Sequence, residues 1–440
     1  MKRYIFILIG LFSFMSHGQG DTSVLLDGSI GSELAYSWPS KVNLDSVYIY
    51  SRVDSIMNEG IKQTAFPGAQ LLVAKEGKII FHEAYGFHTY DSLQPVALND
   101  IYDLASVTKI AGPLPALMKL VDEKKLDLDA PFSNYWRSWK GKKDKKDLTL
   151  REILAHQAGL EPYIVFLNTV MKKDRLKKRF IQPVKSNRFQ KQAYDGIFVK
   201  NKFQNKMHRM IRRSEVNEDK KYRYSGLTFL IFPQLIEQLT GMTYERYLRE
   251  TIYDPLGCYT LGFNPDRWQV TNNIVPTEID TLYRKTLTHG WVHDENASLL
   301  GGVSGNAGLF ATALDLAKLM QLYQNYGSFN GQRILSESTM KEFTAIQFAN
   351  NENRRGLGFD KPLLDNSELS LSDAYPAPNA AANSFGHSGF TGTFVWADPK
   401  NQLVFIFLSN RVYPSRSHRK LYSLNIRTAL HQVFYEAAND

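Results

Sequence analysis

Apolar positions in this chain follow two periods, and the two are segregated along it. Over residues 43–61, Val47, Tyr50, Val53, Ile56 and Met57 recur at helical spacing, which predicts a helix with one buried face. Residues 68–74 and 78–84 are short apolar runs on either side of Lys75-Glu76-Gly77, which predicts a β-hairpin. Residues 393–397 and 403–408 repeat that arrangement around Asp398-Pro399-Lys400-Asn401, and a last helix covers 423–437. Helical patterns dominate from Ser106 to about Glu250, with 148–156 and 227–239 among them. Strands near both ends with a helical block between them predict an α+β fold. Its antiparallel sheet is assembled from N- and C-terminal segments and flanked by terminal helices, and a mainly helical subdomain (about 105–250) is inserted.

The chain has 440 residues, 43% of them hydrophobic, enough to bury a large core. Its first residues have the layout of an export signal. Met1-Lys2-Arg3 carries positive charge, 4–15 is apolar, and Ser16-His17-Gly18 offers small residues for cleavage. This gives a signal peptide over 1–18, a linker over 19–43, and a periplasmic or extracellular address. The apolar run is short for a bilayer, so no stable membrane span is expected once the signal is removed; a retained anchor is the alternative. Cys258 is the single cysteine, so no internal disulfide forms and core packing must hold the fold.

The net charge of +9 is concentrated. Residues 171–213 hold fifteen Lys or Arg against Asp174 and Asp195, a local +13 that leaves the rest of the chain at −4. Phe180, Phe189, Tyr194, Phe198 and Phe203 predict that this basic insertion (about 165–220) packs. It reads as a solvated, partly helical surface or as a wall attracting anionic substrate. Nothing resembles a recognition helix or an RNA module, so nucleic acid is not expected as a partner.

Candidate chemistry centres on Ser106-Val107-Thr108-Lys109. A serine and a lysine three residues apart on a helix share a face, and an unprotonated lysine can take the hydroxyl proton that makes serine a poor nucleophile. Ser-x-x-Lys recurs at Ser338–Lys341 and Ser417–Lys420. Those lie in a capped surface turn and a basic turn, whereas Ser106 follows an extended approach and precedes a helix whose early Pro113 and Pro115 suit a first turn. A nucleophile at a helix N-terminus also gains from free N–H groups there. His289, His293 and Asp294 could imitate a metal site, but Gly290 opposes the helix needed to aim both rings, so no metal and no cofactor are expected. Ser304 lacks a nucleophile elbow because Asn306 stands where glycine is required. His156 reads as ordering the helix-to-loop junction before Gly159.

Four segments in this order carry a family resemblance: Leu104-Ala105-Ser106-Val107-Thr108-Lys109, Leu154-Ala155-His156-Gln157-Ala158-Gly159-Leu160, Tyr224-Ser225-Gly226 and Gly386-His387-Ser388-Gly389-Phe390-Thr391-Gly392-Thr393. From about residue 44 to the C-terminus the chain resembles the serine β-lactamase and penicillin-binding-protein superfamily, near class C enzymes, esterases and D,D-peptidases. More narrowly, His293-Asp294-Glu295-Asn296-Ala297, the stretch Gly301 to Phe310 and Asn353-Arg354-Arg355-Gly356-Leu357-Gly358-Phe359-Asp360 resemble a subgroup found fused to β-N-acetylglucosaminidases, with muropeptide amidases among its relatives. The resemblance implies Ser106 as nucleophile, Lys109 as its base and Tyr224 as proton carrier. It implies an oxyanion hole from the N–H groups of Ser106 and Phe390, the latter on the strand after His387-Ser388-Gly389, and substrate contacts from His387 and Ser388. Two departures stand out. Gly226 replaces the usual Asn or Asp of the second motif, and His387 replaces the usual Lys of the third, weakening any grip on a substrate carboxylate.

The expectation is therefore an exported single-domain serine hydrolase (44–440) that forms an acyl-enzyme on Ser106 and cleaves amide bonds of peptidoglycan-derived muropeptides. The alternatives are a carboxylesterase or D,D-peptidase with weak β-lactam reactivity and, from another class, a non-catalytic sensor of wall fragments.

Overall fold

In the computed structural model, which describes residues 33–267 and 273–438, the two hairpins merge into one sheet. Its strands are β1 (Ala35–Tyr36), β2 (Gly68–Lys75), β3 (Lys78–Gly86), β4 (Phe385–Ser388), β5 (Phe394–Asp398) and β6 (Leu403–Ser409), in the order β1-β3-β2-β6-β5-β4. The chain ends meet where β6 pairs antiparallel with β2, from Leu403 opposite Lys75 to Ser409 opposite Ala69. β1 pairs parallel with β3, so the sheet is mixed at that edge. That strand falls inside the segment expected to be linker, and ordered structure begins before residue 44. The expected signal peptide over 1–18 lies outside the described residues.

Helices α1 (Ser46–Lys62), α2 (Thr108–Ala111), α3 (Pro113–Asp122), α4 (Phe203–Arg213), α5 (Ala313–Gln324) and α6 (Ile426–Glu436) complete the frame used below. Alternation along the strands decides which layer each helix joins, because successive side chains point to opposite faces. Leu71, Val73, Phe394, Trp396, Phe405 and Phe407 pack with α1 and α6. Leu72, Ala74, Val395, Val404, Ile406 and Leu408 belong to the larger core shared with α2, α3 and α5. A sheet buried on both sides explains why its strands read as continuous apolar runs rather than as alternation with polar residues.

One expectation is corrected and another is extended. On α1 the inward stripe is Ile49, Val53, Met57 and Gly60, while Val47 is 79% exposed. The Asp45 carboxylate caps the helix by accepting the Tyr48 N–H, which fixes where the first turn starts and sends Val47 outward. The basic insertion, expected to be partly helical, also contains short strands. Met171–Lys172 pairs with Arg175–Leu176, and Ile197–Val199 pairs with both Ile181–Gln182 and Lys191–Tyr194, with α4 following. Lys173 and Asp174 both take positive φ, as a two-residue hairpin turn requires, and Asp195-Gly196 makes the next tight turn.

The α1/α6 layer holds an unusual core residue. His431 on α6 is buried, with its ring centroid 4.7 Å from that of Phe405 and 5.9 Å from that of Phe394. Burial pushes its pKa down to about 3. In the unfolded chain the imidazole titrates near its ordinary value, so the unfolded state binds the extra proton first as pH falls. The stabilising contribution is present above about pH 6.5 and is lost progressively toward pH 3. His431→Gln should therefore flatten the acid side of the stability profile, by roughly 2 kcal/mol at pH 4.5 relative to pH 7. Urea midpoints measured from pH 4 to pH 7 check this; parallel profiles for the parent and the variant would refute it.

Candidate active site

Ser106 is placed by backbone before its own side chain matters. Tyr102–Asp103 pairs with Leu309–Ala311, and the Leu104 N–H donates to the Leu309 carbonyl at 3.0 Å. Ala105 then takes a left-handed conformation (φ 44°), unusual for a residue with a Cβ, and its N–H donates to the buried Asp103 carboxylate at 2.8 Å. One 3-10 turn, Ala105–Val107, carries Ser106 into α2. Neither the Ser106 N–H nor the Phe390 N–H is taken by a backbone carbonyl.

Lys109 is 3% exposed, and its Nζ donates to Ser106 Oγ at 2.9 Å and to the Asn306 carbonyl at 3.0 Å. The same nitrogen lies 5.3 Å from the Tyr224 ring centroid and 5.6 Å from that of Phe229. Among the described residues no carboxylate pairs with it. Tyr224 is bracketed by three further groups: the His156 ring (centroids 4.5 Å apart), the His387 ring (6.1 Å) and the Arg355 guanidinium (5.5 Å). Ser106, Lys109, Tyr224 and His387 are thus brought together from the 3-10 turn, α2, a loop and β4. The other two Ser-x-x-Lys pairs are elsewhere: Ser338 and Ser417 are both exposed, and Lys341 is ion-paired with Glu337 at 2.6 Å.

Turn geometry sets the second half of the site. β4 ends at Ser388, so Phe390 lies in the β4–β5 turn and not on a strand. Thr391 Oγ1 donates to the Asp103 carbonyl at 2.7 Å and Thr393 Oγ1 to the Leu104 carbonyl at 3.1 Å, which clamps this turn to the approach to Ser106. Gly389 fits because it lacks a side chain. A Cβ there would stand 2.5 Å from the Leu104 carbonyl oxygen and 2.1 Å from Thr393 Oγ1. Phe390 itself is 40% exposed, with its ring stacked on His293 (5.7 Å) and under the Arg411 guanidinium (4.4 Å).

Ser106 and Phe390 open into a cavity of about 280 Å³ walled by Tyr163, Asp294, Glu295 and Arg416. Arg416 joins Glu278 at 2.6 Å and Glu295 at 2.8 Å, and His293 Nε2 meets Glu278 at 2.8 Å. Burial alone would raise the Glu278 carboxyl, but hydrogen bonds from His293 and Arg416 hold it down at about 2. His289 instead faces the Ile274 carbonyl at 2.7 Å, so the two histidines serve different partners. Among the described residues no three His, Cys, Asp or Glu side chains are grouped to hold a metal ion.

The two departures from the expected motifs have local answers. A Cβ at Gly226 would meet nothing closer than 4.0 Å, the nearest atoms being Asn306 Cβ and Lys109 Cε. The space left by the missing Asn or Asp is bordered by Asn306, whose carbonyl serves Lys109 while its amide is held by Ser304 and Asp294. His387 is 3% exposed, and burial, then Arg355 and Lys109, push its pKa down to about 3. It is a neutral ring in this site. His156 has a larger part than ordering a junction. Its Nδ1 accepts the Ser225 N–H at 3.2 Å, its carbonyl accepts the Arg223 N–H at 2.9 Å, and its ring supports Tyr224 between them.

A model of the family described as Beta-lactamase matches residues 53–429. The chain belongs to the β-lactamase family. A Salmonella enteritidis PT4 protein named "Putative D-alanyl-D-alanine carboxypeptidase" is 30% identical over 414 residues, 88% of each chain. Among solved structures, "EstCE1, a hydrolase with promiscuous acyltransferase activity" superposes with a TM-score of 0.63 at 18% identity, covering 88% of this chain and 99% of that one. A penicillin-binding-protein homologue from Caulobacter crescentus gives 0.60 at 18% identity, covering 88% and 97%. The α+β fold is that of β-lactamases, and this family member is a serine hydrolase of the β-lactamase-like superfamily.

The clamp on the β4–β5 turn has a direct test. Gly389→Ala should displace the Phe390 N–H from Ser106 and lower the rate of fluorophosphonate labelling about 100-fold, the scale of losing one oxyanion donor. A folded variant that labels within threefold of the parent would remove that turn from the reaction.

Proposed function

We propose that the chain is an exported hydrolase that opens an amide bond in the peptide part of peptidoglycan fragments through an acyl-enzyme on Ser106. A terminal D-alanine is the first leaving group to test. The observation that carries the chemistry is the 2.9 Å contact between Lys109 Nζ and Ser106 Oγ, with no carboxylate paired to Lys109 among the described residues. Once Lys109 has lost its proton, its lone pair takes the serine proton and Oγ attacks the carbonyl carbon. The N–H groups of Ser106 and Phe390 are free to hold the oxyanion. Tyr224, beside Lys109, passes the proton to the departing amine, and water then releases the acyl group by the reverse route.

Support for the substrate class comes from the Salmonella relative's name over 88% of both chains and from the narrower motif resemblance to muropeptide amidases. Support for export is the charged, apolar and small-residue order of residues 1–18. A carboxylesterase is the second reading, and the neutral His387 favours it, because an uncharged ring does not hold a peptide's terminal carboxylate. Gly226 favours a sensor without activity, and the Ser106–Lys109 contact opposes it.

Labelled penicillin or a fluorophosphonate should acylate the purified protein and leave Ser106→Ala unlabelled. Muropeptides ending in D-alanyl-D-alanine should then lose D-alanine by mass spectrometry, and Lys109→Met should lower that rate at least 1,000-fold, as losses of paired nucleophile and base do. Ester turnover with intact muropeptides would select the esterase, and no label on the parent protein would end the enzymatic reading.

A further inference from the structure

We propose that Arg355 is a positioning residue of this site: its buried guanidinium orients the His387 ring and supplies, beside Tyr224, the fixed positive charge that a lysine at the start of the third motif would otherwise bring. The inference rests on Ser106 being the nucleophile.

Arg355 is 2% exposed and makes three directed contacts. Nη1 is 3.0 Å from Asp360 Oδ1, Nη2 is 3.4 Å from His387 Nε2, and Cζ lies 5.5 Å from the Tyr224 ring centroid. Arg354 Nη1 meets the same Asp360 oxygen at 2.6 Å. One carboxylate therefore serves two guanidinium groups, and one positive charge is left over in a dry site. Among the described residues no other carboxylate is in ion-pair range of Arg355. From α2, Lys109 places a second cation 5.3 Å from the Tyr224 centroid. The remaining titratable groups facing this cluster are His156, Tyr222 and Tyr375.

The contacts also assign the His387 tautomer. Nδ1 lies 2.8 Å from the Ser388 carbonyl, an acceptor, so Nδ1 carries the hydrogen and donates. Nε2 then offers its lone pair to Arg355 Nη2. A proton on Nε2 would instead confront the guanidinium, in keeping with the depressed histidine pKa. The ring is held neutral and fixed while the charge sits one contact behind it. The segment Asn353–Asp360 thereby gains a chemical role, because its two arginines and its aspartate are the charge store of the site.

The test follows the second-order rate of fluorophosphonate acylation against pH. Loss of a cation near Lys109 and Tyr224 makes proton release from that pair harder, so in Arg355→Met the acid limb should move up by about one pH unit, a tenfold slower rate on that limb. Arg355→Lys should return the limb most of the way while keeping a lower plateau, since a point charge lacks the fork that reaches His387. Adding His387→Lys to Arg355→Met should also return the limb, because the charge is restored from β4. A folded Arg355→Met variant with a lowered plateau and an unmoved limb would make Arg355 merely structural and overturn the inference. Where Arg355→Met does not fold, Arg355→Gln decides: a limb moved up by about one pH unit supports the inference and an unmoved one overturns it. Labelling of Ser106→Ala at the parent rate would instead defeat the nucleophile assignment, an outcome that no Arg355 variant mimics.

Discussion

Two threonine hydroxyls join the sheet to the helical block at the one place where distance matters to chemistry. Thr391 and Thr393 donate to the carbonyls of Asp103 and Leu104, and Gly389 lets the backbones approach closely enough for both bonds to form. Ser106 belongs to the chain leaving the first segment, and Phe390 to the turn between two C-terminal strands. Almost 300 residues separate them, and this joint fixes the turn that carries Phe390 against the approach to Ser106. The β2–β6 pairing gives the joint its rigidity, since seven residue pairs lock the two chain ends into the same sheet.

Charge is distributed unequally around that joint. On the inner side Arg354 and Arg355 share one carboxylate, Asp360, and Lys109 has no ion-pair partner among the described residues. On the outer side Arg416 is spent on Glu278 and Glu295, with Asp294 beside them at the cavity wall. Ser106 thus lies between an electropositive interior and a wall whose cation is already neutralised. Lys109 and Arg355 are buried, so water screens their field little.

Much of this is legible in the sequence where local pattern suffices. The two hairpins, the terminal helices and the choice of Ser106 over Ser338 and Ser417 all follow from periodicity and neighbours within ten residues. The helical phase of α1 is not legible in that way, because several apolar residues lie near its buried stripe and only packing against the sheet separates Val47 from Ile49. The strands within 171–199 are hidden by lysine and arginine, which mask alternation, although Asp195-Gly196 is a readable turn signal. Asn306 and Arg355 cannot be assigned from spacing at all. Each reaches the site across a separation of 197 or 32 residues, and their segments are visible in the sequence only as motif resemblance without a role.

Gly226 and His387 look like independent losses, yet the structure makes them one change. The family's usual residues at these positions bring an amide or carboxylate and an ammonium to the nucleophile. Here the side-chain acceptor is replaced by a backbone carbonyl at Asn306, and the ammonium by a guanidinium behind a neutral ring. Nothing in the packing demands the glycine, because a Cβ at Gly226 would find 4.0 Å of clearance and no left-handed backbone is involved. A carbonyl cannot ionise, and a guanidinium keeps its proton throughout the physiological range. With His387 also held neutral by burial and by Arg355, neither altered position places a charged side chain in the site. Both departures therefore leave Lys109 and Arg355 as cations beside the Tyr224 ring, each carried by a part of the chain outside the two altered motif positions.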